Sequence, residues 1–273
     1  MSTFCSQNGF PVPIILGPIG NIAGPDLIAA VSNAGGLGTY TLCGFNAKQT
    51  NEDLTEIRRL TVKPILVAFV GEWEPDDNIE ILRKHNVTMS SVFWWNGPRL
   101  LRKLQNAGIK VFWHVGTQSQ LIDAVALSPD AILTQGYDAG GHVRSNTSLT
   151  DLIMLAKQAT TLPIVAAGGI NTPERAKYYI DLGADTIMLG TRLAATFEAR
   201  GTATDKELIC MATSKDLMLD KIPSADWPSS FRRRLTSGGN LDIPARYANS
   251  NVDEITTTMF AKDVIDWFAR FLG

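Results

Sequence analysis

The chain is predicted to fold as one (β/α)8 barrel, the TIM-barrel class, carrying a short C-terminal helical appendage. Three observations lead there. Short β-branched apolar runs alternate with amphipathic segments, the pattern of a parallel sheet covered by helices. The runs number eight, the count that closes a barrel. The densest glycine motifs follow the sixth, seventh and eighth runs. An open doubly wound sheet usually carries its glycine-rich phosphate loop after the first strand, where this chain has Gly17-Pro18-Ile19-Gly20-Asn21.

In order, the expected strands are residues 12–16, 37–40, 64–70, 89–94, 110–115, 130–134, 163–167 and 185–189. Helices are expected at 25–34, 51–60, 77–85, 97–107, 118–127, 148–160 and 173–182. Pro25 and Pro173 suit a first helical turn, where a missing N–H breaks no bond. Gly35, Gly108 and Gly183 stand where helix ends favour a left-handed residue. From about Glu198 the alternation stops. The chain is therefore divided into a barrel, 1–197, and a helical extension, 198–273, packed on it as part of a single domain. The apolar segment 264–272, with Trp267, Phe268 and Phe271, is expected to cap the barrel; pairing with a second subunit as a homodimer is the alternative.

Composition excludes several classes. Hydrophobic residues make up 45%, too many for a disordered chain. The net charge is −2 and no basic run exceeds Arg232-Arg233-Arg234, which argues against nucleic-acid binding and reads as a solvated or carboxylate-paired face. Cys5, Cys43 and Cys210 are sparse and lack metal-ligand spacing. With no apolar run near the ~20 residues of a membrane span and no secretory signal, a cytoplasmic protein is expected.

In a barrel of this class the active site lies where the βα loops gather, beyond the C-terminal strand ends. There the chain has Gln135-Gly136-Tyr137-Asp138-Ala139-Gly140-Gly141-His142, placed directly after the sixth run. Glycines allow close backbone approach to a ligand, and histidine titrates near neutrality. The alternative is a glycine-rich turn with a solvated histidine. Gly168-Gly169-Ile170-Asn171 follows the seventh strand and Gly190-Thr191-Arg192 the eighth, the usual phosphate-binding pair in this fold. Arg192 could add charge or pair with Glu198. His142 could act as a general base or as a hydrogen-bond donor to a developing anion. His85 reads as structural, ending a helix; His114 is either core-facing or a second polar group in the pocket. There is no nucleophile elbow and no metal cluster.

These residues carry a resemblance. The chain resembles the nitronate monooxygenases, formerly 2-nitropropane dioxygenases, and the related FMN-dependent enoyl-acyl-carrier-protein reductases. The similar stretches are Pro13-Ile14-Ile15-Leu16-Gly17-Pro18-Ile19, Ala30-Val31-Ser32-Asn33-Ala34-Gly35-Gly36-Leu37-Gly38, the octapeptide, Ala166-Ala167-Gly168-Gly169-Ile170, and Gly183-Ala184-Asp185 leading to Leu189-Gly190-Thr191-Arg192. Asp226-Trp227-Pro228, Phe231 and Arg234-Leu235 add to it. The resemblance implies a non-covalent FMN, with Gly17, Pro18 and Ile19 beside its ring and Gln135, Gly140 and Gly141 against the flavin. Gly168, Gly169, Leu189, Gly190 and Thr191 would receive the phosphate, and His142 would serve as base or substrate contact. The implied reaction converts an alkyl nitronate, with O2, to a carbonyl compound and nitrite. The alternatives are an enoyl-thioester reductase using NAD(P)H, and a degenerate flavin-binding barrel without turnover.

The chain departs from the family pattern in four places. Ile19 replaces a frequent methionine, no asparagine stands near Ala68, Phe93-Trp94-Trp95-Asn96 is unusually bulky, and the late glycine-rich segment is not recognisable after Ala248.

Overall fold

Every one of the eight apolar runs forms a strand. The computed structural model describes residues 3–42, 46–70, 76–93, 98–221, 231–236 and 247–273. The barrel strands are β1 (Ile14–Leu16), β2 (Gly38–Leu42), β3 (Ile65–Val70), β4 (Met89–Phe93), β5 (Lys110–Val115), β6 (Ala131–Gln135), β8 (Ile164–Ala167) and β9 (Thr186–Leu189). All pair in parallel in the order β1-β9-β8-β6-β5-β4-β3-β2. Leu16 N–H donates to Leu37 O and Leu37 N–H to Ile14 O, both at 2.9 Å, which joins β1 to the edge of β2 and closes the barrel.

Helices α2 (Pro25–Asn33), α3 (Ala47–Leu60), α4 (Asp76–Lys84), α5 (Pro98–Asn106), α6 (Gln118–Leu127), α7 (Leu149–Ala159) and α8 (Pro173–Leu182) lie between the strands. Pro25 and Pro173 open their helices, and Gly183 closes α8 with a left-handed φ of 118°. α3 begins earlier than apolar periodicity suggests, because the Asn46 side chain accepts from Gln49 N–H at 2.9 Å and caps the first turn.

Strand alternation sorts the core into two layers. On β5, Val111, Trp113 and Val115 face the helices, while Phe112 joins Leu66, Met89 and Val165 inside the barrel. The N-terminal helix α1 (Thr3–Gln7) brings Phe4 and Cys5 into that inner cluster, together with Phe10. Asn8 Oδ1 accepts from Lys110 Nζ at the start of β5, and Cys5 Sγ lies 3.6 Å from Asp185 O just before β9. α1 therefore seals the N-terminal end and leaves the opposite mouth for a ligand.

Residues 198–273 are not wholly helical, and the segment 264–272 does not cap the barrel as expected. α11 (Ala261–Leu272) buries Ala261, Val264, Ile265 and Phe268 in the helix–strand layer and packs between α8 and α2. It stands as the eighth helix of the ring rather than over an end. The Glu198 carboxylate fixes its start, accepting from Ala261 N–H at 2.9 and 3.1 Å. The same region also contributes strands: β10 (Leu217–Lys221) and β11 (Phe231–Leu235) form an antiparallel sheet with β7 (Gly141–Val143), the end of the octapeptide. Three consecutive arginines and short strands concealed this sheet from periodicity. α9 (Thr191–Ala194) and α10 (Ala203–Met211) complete the region. No helix among the described residues is long and apolar enough to cross a membrane.

Candidate active site

Two corners of the mouth collect the glycines singled out in the sequence. In the first, the loop after β1 meets the loop after β9. Gly17 N–H donates to Leu189 O at 2.8 Å, and a Cβ on Gly17 would lie 3.3 Å from Gly190 Cα. Gly17, Pro18, Ile19, Gly190 and Thr191 are thus neighbours. Leu189 enters only through its backbone, because its side chain lies in the helix-facing layer. Gly190 has an ordinary φ of −102°, and a Cβ there would touch only Ile19 Cγ2, at 3.5 Å. Space at Gly190 is open.

The second corner is closed by protein. Gly168 and Gly169 have φ values of 106° and 72°, which L side chains rarely adopt. A Cβ on Gly168 would lie 3.1 Å from Gly136 O, and one on Gly169 would lie 2.8 Å from both Asp138 Cβ and Asn251 Nδ2. A Cβ on Gly140 would strike the backbone of Ala248 and Asn249 at 2.6–2.9 Å. These glycines let three pieces of chain pack face to face.

The third piece is a strap, residues 247–254, which crosses the mouth although its sequence lacks the expected glycines. Asn171 and Asn249 exchange amide hydrogen bonds at 2.9 and 2.7 Å, both side chains buried. Asn249 N–H donates to Thr191 Oγ1 at 3.1 Å, Asn251 Nδ2 donates to Gly169 O at 2.7 Å, and Ser250 Oγ donates to Asp138 Oδ1 at 2.6 Å. The Arg175–Glu254 ion pair holds the far end. Four polar residues in a polar segment gave no periodic signal; Asn171, two residues after the glycine pair, was the readable half.

Arg233 is the other residue that sequence reading missed. It is 5% exposed, its Nη1 donates to Tyr137 O and Ala139 O at 2.5 Å, and its guanidinium lies 4.8 Å from the Tyr137 ring centre. Its neighbours Arg232 and Arg234 pair with Asp220 at 3.0 and 3.3 Å, the carboxylate-paired face expected of the triplet.

His142 sits on β7, directly opposite Arg232 of β11, with its ring 5.9 Å from that of Tyr247. Burial, and then the Arg232 charge, lower its pKa from 6.5 to about 4, so the imidazole is neutral at physiological pH. Gln135 holds β7 in place rather than reaching outward. Its Nε2 donates to His142 O at 3.2 Å, and its Oε1 accepts from Arg144 N–H at 3.5 Å. Gly141, with φ 66°, faces the start of the strap, where a Cβ would lie 3.7 Å from Tyr247 Cδ2.

His114 is buried at the end of β5, and among the described residues neither ring nitrogen has a hydrogen-bond partner. Burial first, and Arg144 second, push its pKa well below 6.5. Thr41 Oγ1, buried near the end of β2, is also without a partner among the described residues. His85 is peripheral, its Nε2 being 3.0 Å from Asn51 Oδ1. Arg192 pairs neither with Glu198 nor toward the mouth: its Nη2 donates to Ala195 O and Thr257 O at 3.0 and 2.7 Å. Cys43, Trp94, Trp95, Asn96 and Asp226-Trp227-Pro228 lie outside the described residues. Among the described residues no group of three or more His, Cys, Asp or Glu could hold a metal.

The sequence pattern of one family, nitronate monooxygenase, matches residues 8–88 and 74–225. A nitronate monooxygenase of Pseudomonas aeruginosa is 28% identical over 249 residues, covering 74% of this chain and 71% of that protein. A protein of Rhodococcus jostii, (3aS,4S,5R,7aS)-5-hydroxy-7a-methyl-1-oxo-octahydro-1H-indene-4-carboxyl-CoA dehydrogenase, is 28% identical over 192 residues, 70% of this chain; the chain spans about half of it, 54%. Among solved structures, FabK from Thermotoga maritima superposes with a TM-score of 0.90 at 21% identity, covering 100% of this chain and 96% of that one. A nitroalkane oxidase from Streptomyces ansochromogenes superposes at 0.84 and 21%, covering 98% and 97%.

Proposed function

The chain belongs to the nitronate monooxygenase family, and on that premise we propose that it is an FMN-dependent oxidoreductase acting on alkyl nitronates, with O2, to give a carbonyl compound and nitrite. The observation that carries this reading is the Gly17–Gly190 corner, an open backbone cradle at the barrel mouth, tied to the strap that also packs on the His142 strand. A Cβ at position 190 would have room in the protein itself, so a glycine there serves the approach of something else. The residues fit a flavin mononucleotide. Gly190 and Thr191 offer backbone N–H groups to the phosphate, Gly17 to Ile19 offer a flat backbone edge to the ring, and Thr41 Oγ1 offers a buried hydroxyl. When bound, the flavin would supply the redox chemistry between nitronate and O2.

The chain's own residues bind, orient and exclude water. The strap and the β7–β11–β10 sheet roof the mouth. His142, neutral, stands in that roof opposite Arg232 and beside Tyr247. A base with pKa near 4 is about 3 kcal/mol poorer at taking a proton than an ordinary histidine. It therefore suits a substrate that arrives already deprotonated. Nitronate is favoured over the neutral nitroalkane, with His142 as hydrogen-bonding and orienting group. A CoA thioester is the second substrate class to assay, because a relative of equal identity is a carboxyl-CoA dehydrogenase. The test is the visible spectrum of the purified protein, followed by oxygen uptake with a nitronate, its neutral nitroalkane, and NAD(P)H with an enoyl thioester. Flavin bands with nitronate-dependent uptake are expected; a colourless protein that takes up no added FMN overturns the reading.

A further inference from the structure

His114 occupies a position where a purely structural residue would be apolar. β5 alternates, so its side chain shares the interior face with Phe112, above the inner cluster and toward the mouth. Its neighbour across β6 is Leu133, and the Phe93 ring centre lies 4.1 Å from its own. Neither can satisfy an imidazole, and among the described residues both ring nitrogens are without partners, at 6% exposure. A buried polar group left so destabilises the fold, whereas a β-branched residue would suit the strand.

A second group in the same state stands beside it. Arg144 follows β7, and the next residue, Ser145, packs on Gly116 two positions beyond His114; a Cβ on Gly116 would lie 3.2 Å from Ser145 Cβ. This places Arg144 at the rim over the end of β5, near enough for its charge to act on His114. The guanidinium is half-buried, and among the described residues no carboxylate or carbonyl accepts from it. Arginine desolvated without an acceptor matches planar oxyanions, which it binds through two parallel N–H groups.

We infer that His114 and Arg144 together hold the anionic oxygens of the substrate, a planar oxyanion of the nitronate or carboxylate type, on the β5 side of the mouth. This deepens the function proposed above and rests on it for the identity of the substrate. The Gly190 corner lies across β6 and β8, so the site is separate from the cradle assigned to the cofactor phosphate. Phe93, half-buried at the end of β4, lies against the imidazole, with the ring centres 4.1 Å apart.

The experiment uses acetate as the probe and acetamide as its neutral isostere, at constant ionic strength. Thermal unfolding is followed for the native protein, His114→Val and Arg144→Gln, and FMN affinity is measured separately. Acetate, and not acetamide, is expected to raise the melting temperature of the native protein, and either substitution should weaken acetate binding by about tenfold or more. FMN affinity should stay within about twofold, and His114→Val should melt no lower than the native protein because an unpartnered imidazole is gone. Acetate binding that survives both substitutions overturns the inference. So does a marked loss of FMN affinity, which would give the oxyanion to the cofactor, or a large fall in melting temperature for His114→Val, which would make that histidine structural. Arg144→Gln, at the rim, reads acetate binding in a variant that leaves the barrel interior untouched. A native protein that binds acetate here but oxidises no nitronate keeps the site and removes the nitronate reading instead.

Discussion

Gly190→Ala separates the needs of the fold from the needs of a ligand. The backbone at 190 has φ −102° and ψ −77°, accessible to alanine, and the new methyl would make one ordinary contact, 3.5 Å from Ile19 Cγ2. Removing a glycine at a compatible site lowers unfolded-state entropy, so stability should rise by roughly 0.5 kcal/mol. In a chain of this size that is a melting-temperature gain of about 1–2 °C. The same methyl projects toward the cradle assigned to the phosphate. Displacing one charge-assisted amide contact costs about 2 kcal/mol, so FMN should bind roughly 30-fold more weakly. The assay is flavin fluorescence quenching on protein stripped of cofactor, alongside a thermal melt without flavin. Unchanged FMN affinity in a stably folded variant would refute the placement of the phosphate. A melting temperature several degrees lower would refute the claim that the space is open.

Gly169→Ala should behave oppositely: its left-handed backbone and the 2.8 Å approaches to Asp138 and Asn251 predict a loss of about 2–4 kcal/mol, read as a melting temperature lower by roughly 5–12 °C, before any effect on flavin. Arg233→Met leaves the Tyr137 and Ala139 carbonyls without their donor and should cost about 2 kcal/mol, measured by urea unfolding; an unaltered midpoint would deny the pin between β11 and loop six. Phe268→Ala, fully buried on α11, should cost about 3–5 kcal/mol and lower the melting of the whole barrel; a small, local loss would return α11 to the status of an appendage. His142 has a folded pKa below its unfolded value, so the unfolded chain binds the extra proton. Its contribution is therefore complete above about pH 6.5 and is lost as pH falls toward 4, by up to about 3 kcal/mol, with His114 acting in the same direction. Melts at pH 7.5, 6 and 4.5 should show that slope, and His142→Gln should flatten it.

The barrel was legible because its strands are largely buried on both faces, and several of them, such as Ile14–Leu16, Ile65–Val70 and Ile164–Ala167, read as continuous apolar runs. The glycine corners and His142 were legible for a similar reason, since glycine at a strand end marks backbone that something approaches closely. What was hidden depends on pairing between distant segments. β7 has three residues, one of them glycine, and becomes a strand only because Phe231 to Arg233 lie alongside it. The Asn171–Asn249 exchange joins residues 78 positions apart, and nothing in either neighbourhood names the other. α11 was visible as an apolar helix, but its place in the ring follows from the four-residue α9, which is too short to fill the gap between α8 and α2.

The arginine triplet shows how much chemistry that hidden pairing decides. In an antiparallel pair, directly opposed residues share a face, so Arg232 stands with His142 and Arg233 with Gly141. Strand alternation then sends Arg233 to the loop-six carbonyls and leaves Arg232 beside the imidazole. A cation beside a half-buried histidine holds it neutral, and Asp220 keeps that cation in place by accepting from it at 3.0 Å. A slip of one residue in this register would exchange the two roles. It would put Arg233, tied to carbonyls and not to a carboxylate, against His142, and would free loop six. The register of β11 is therefore as much a part of the site as the histidine itself: it sets the position of the ring, its protonation, and the shape of the loop from which it projects.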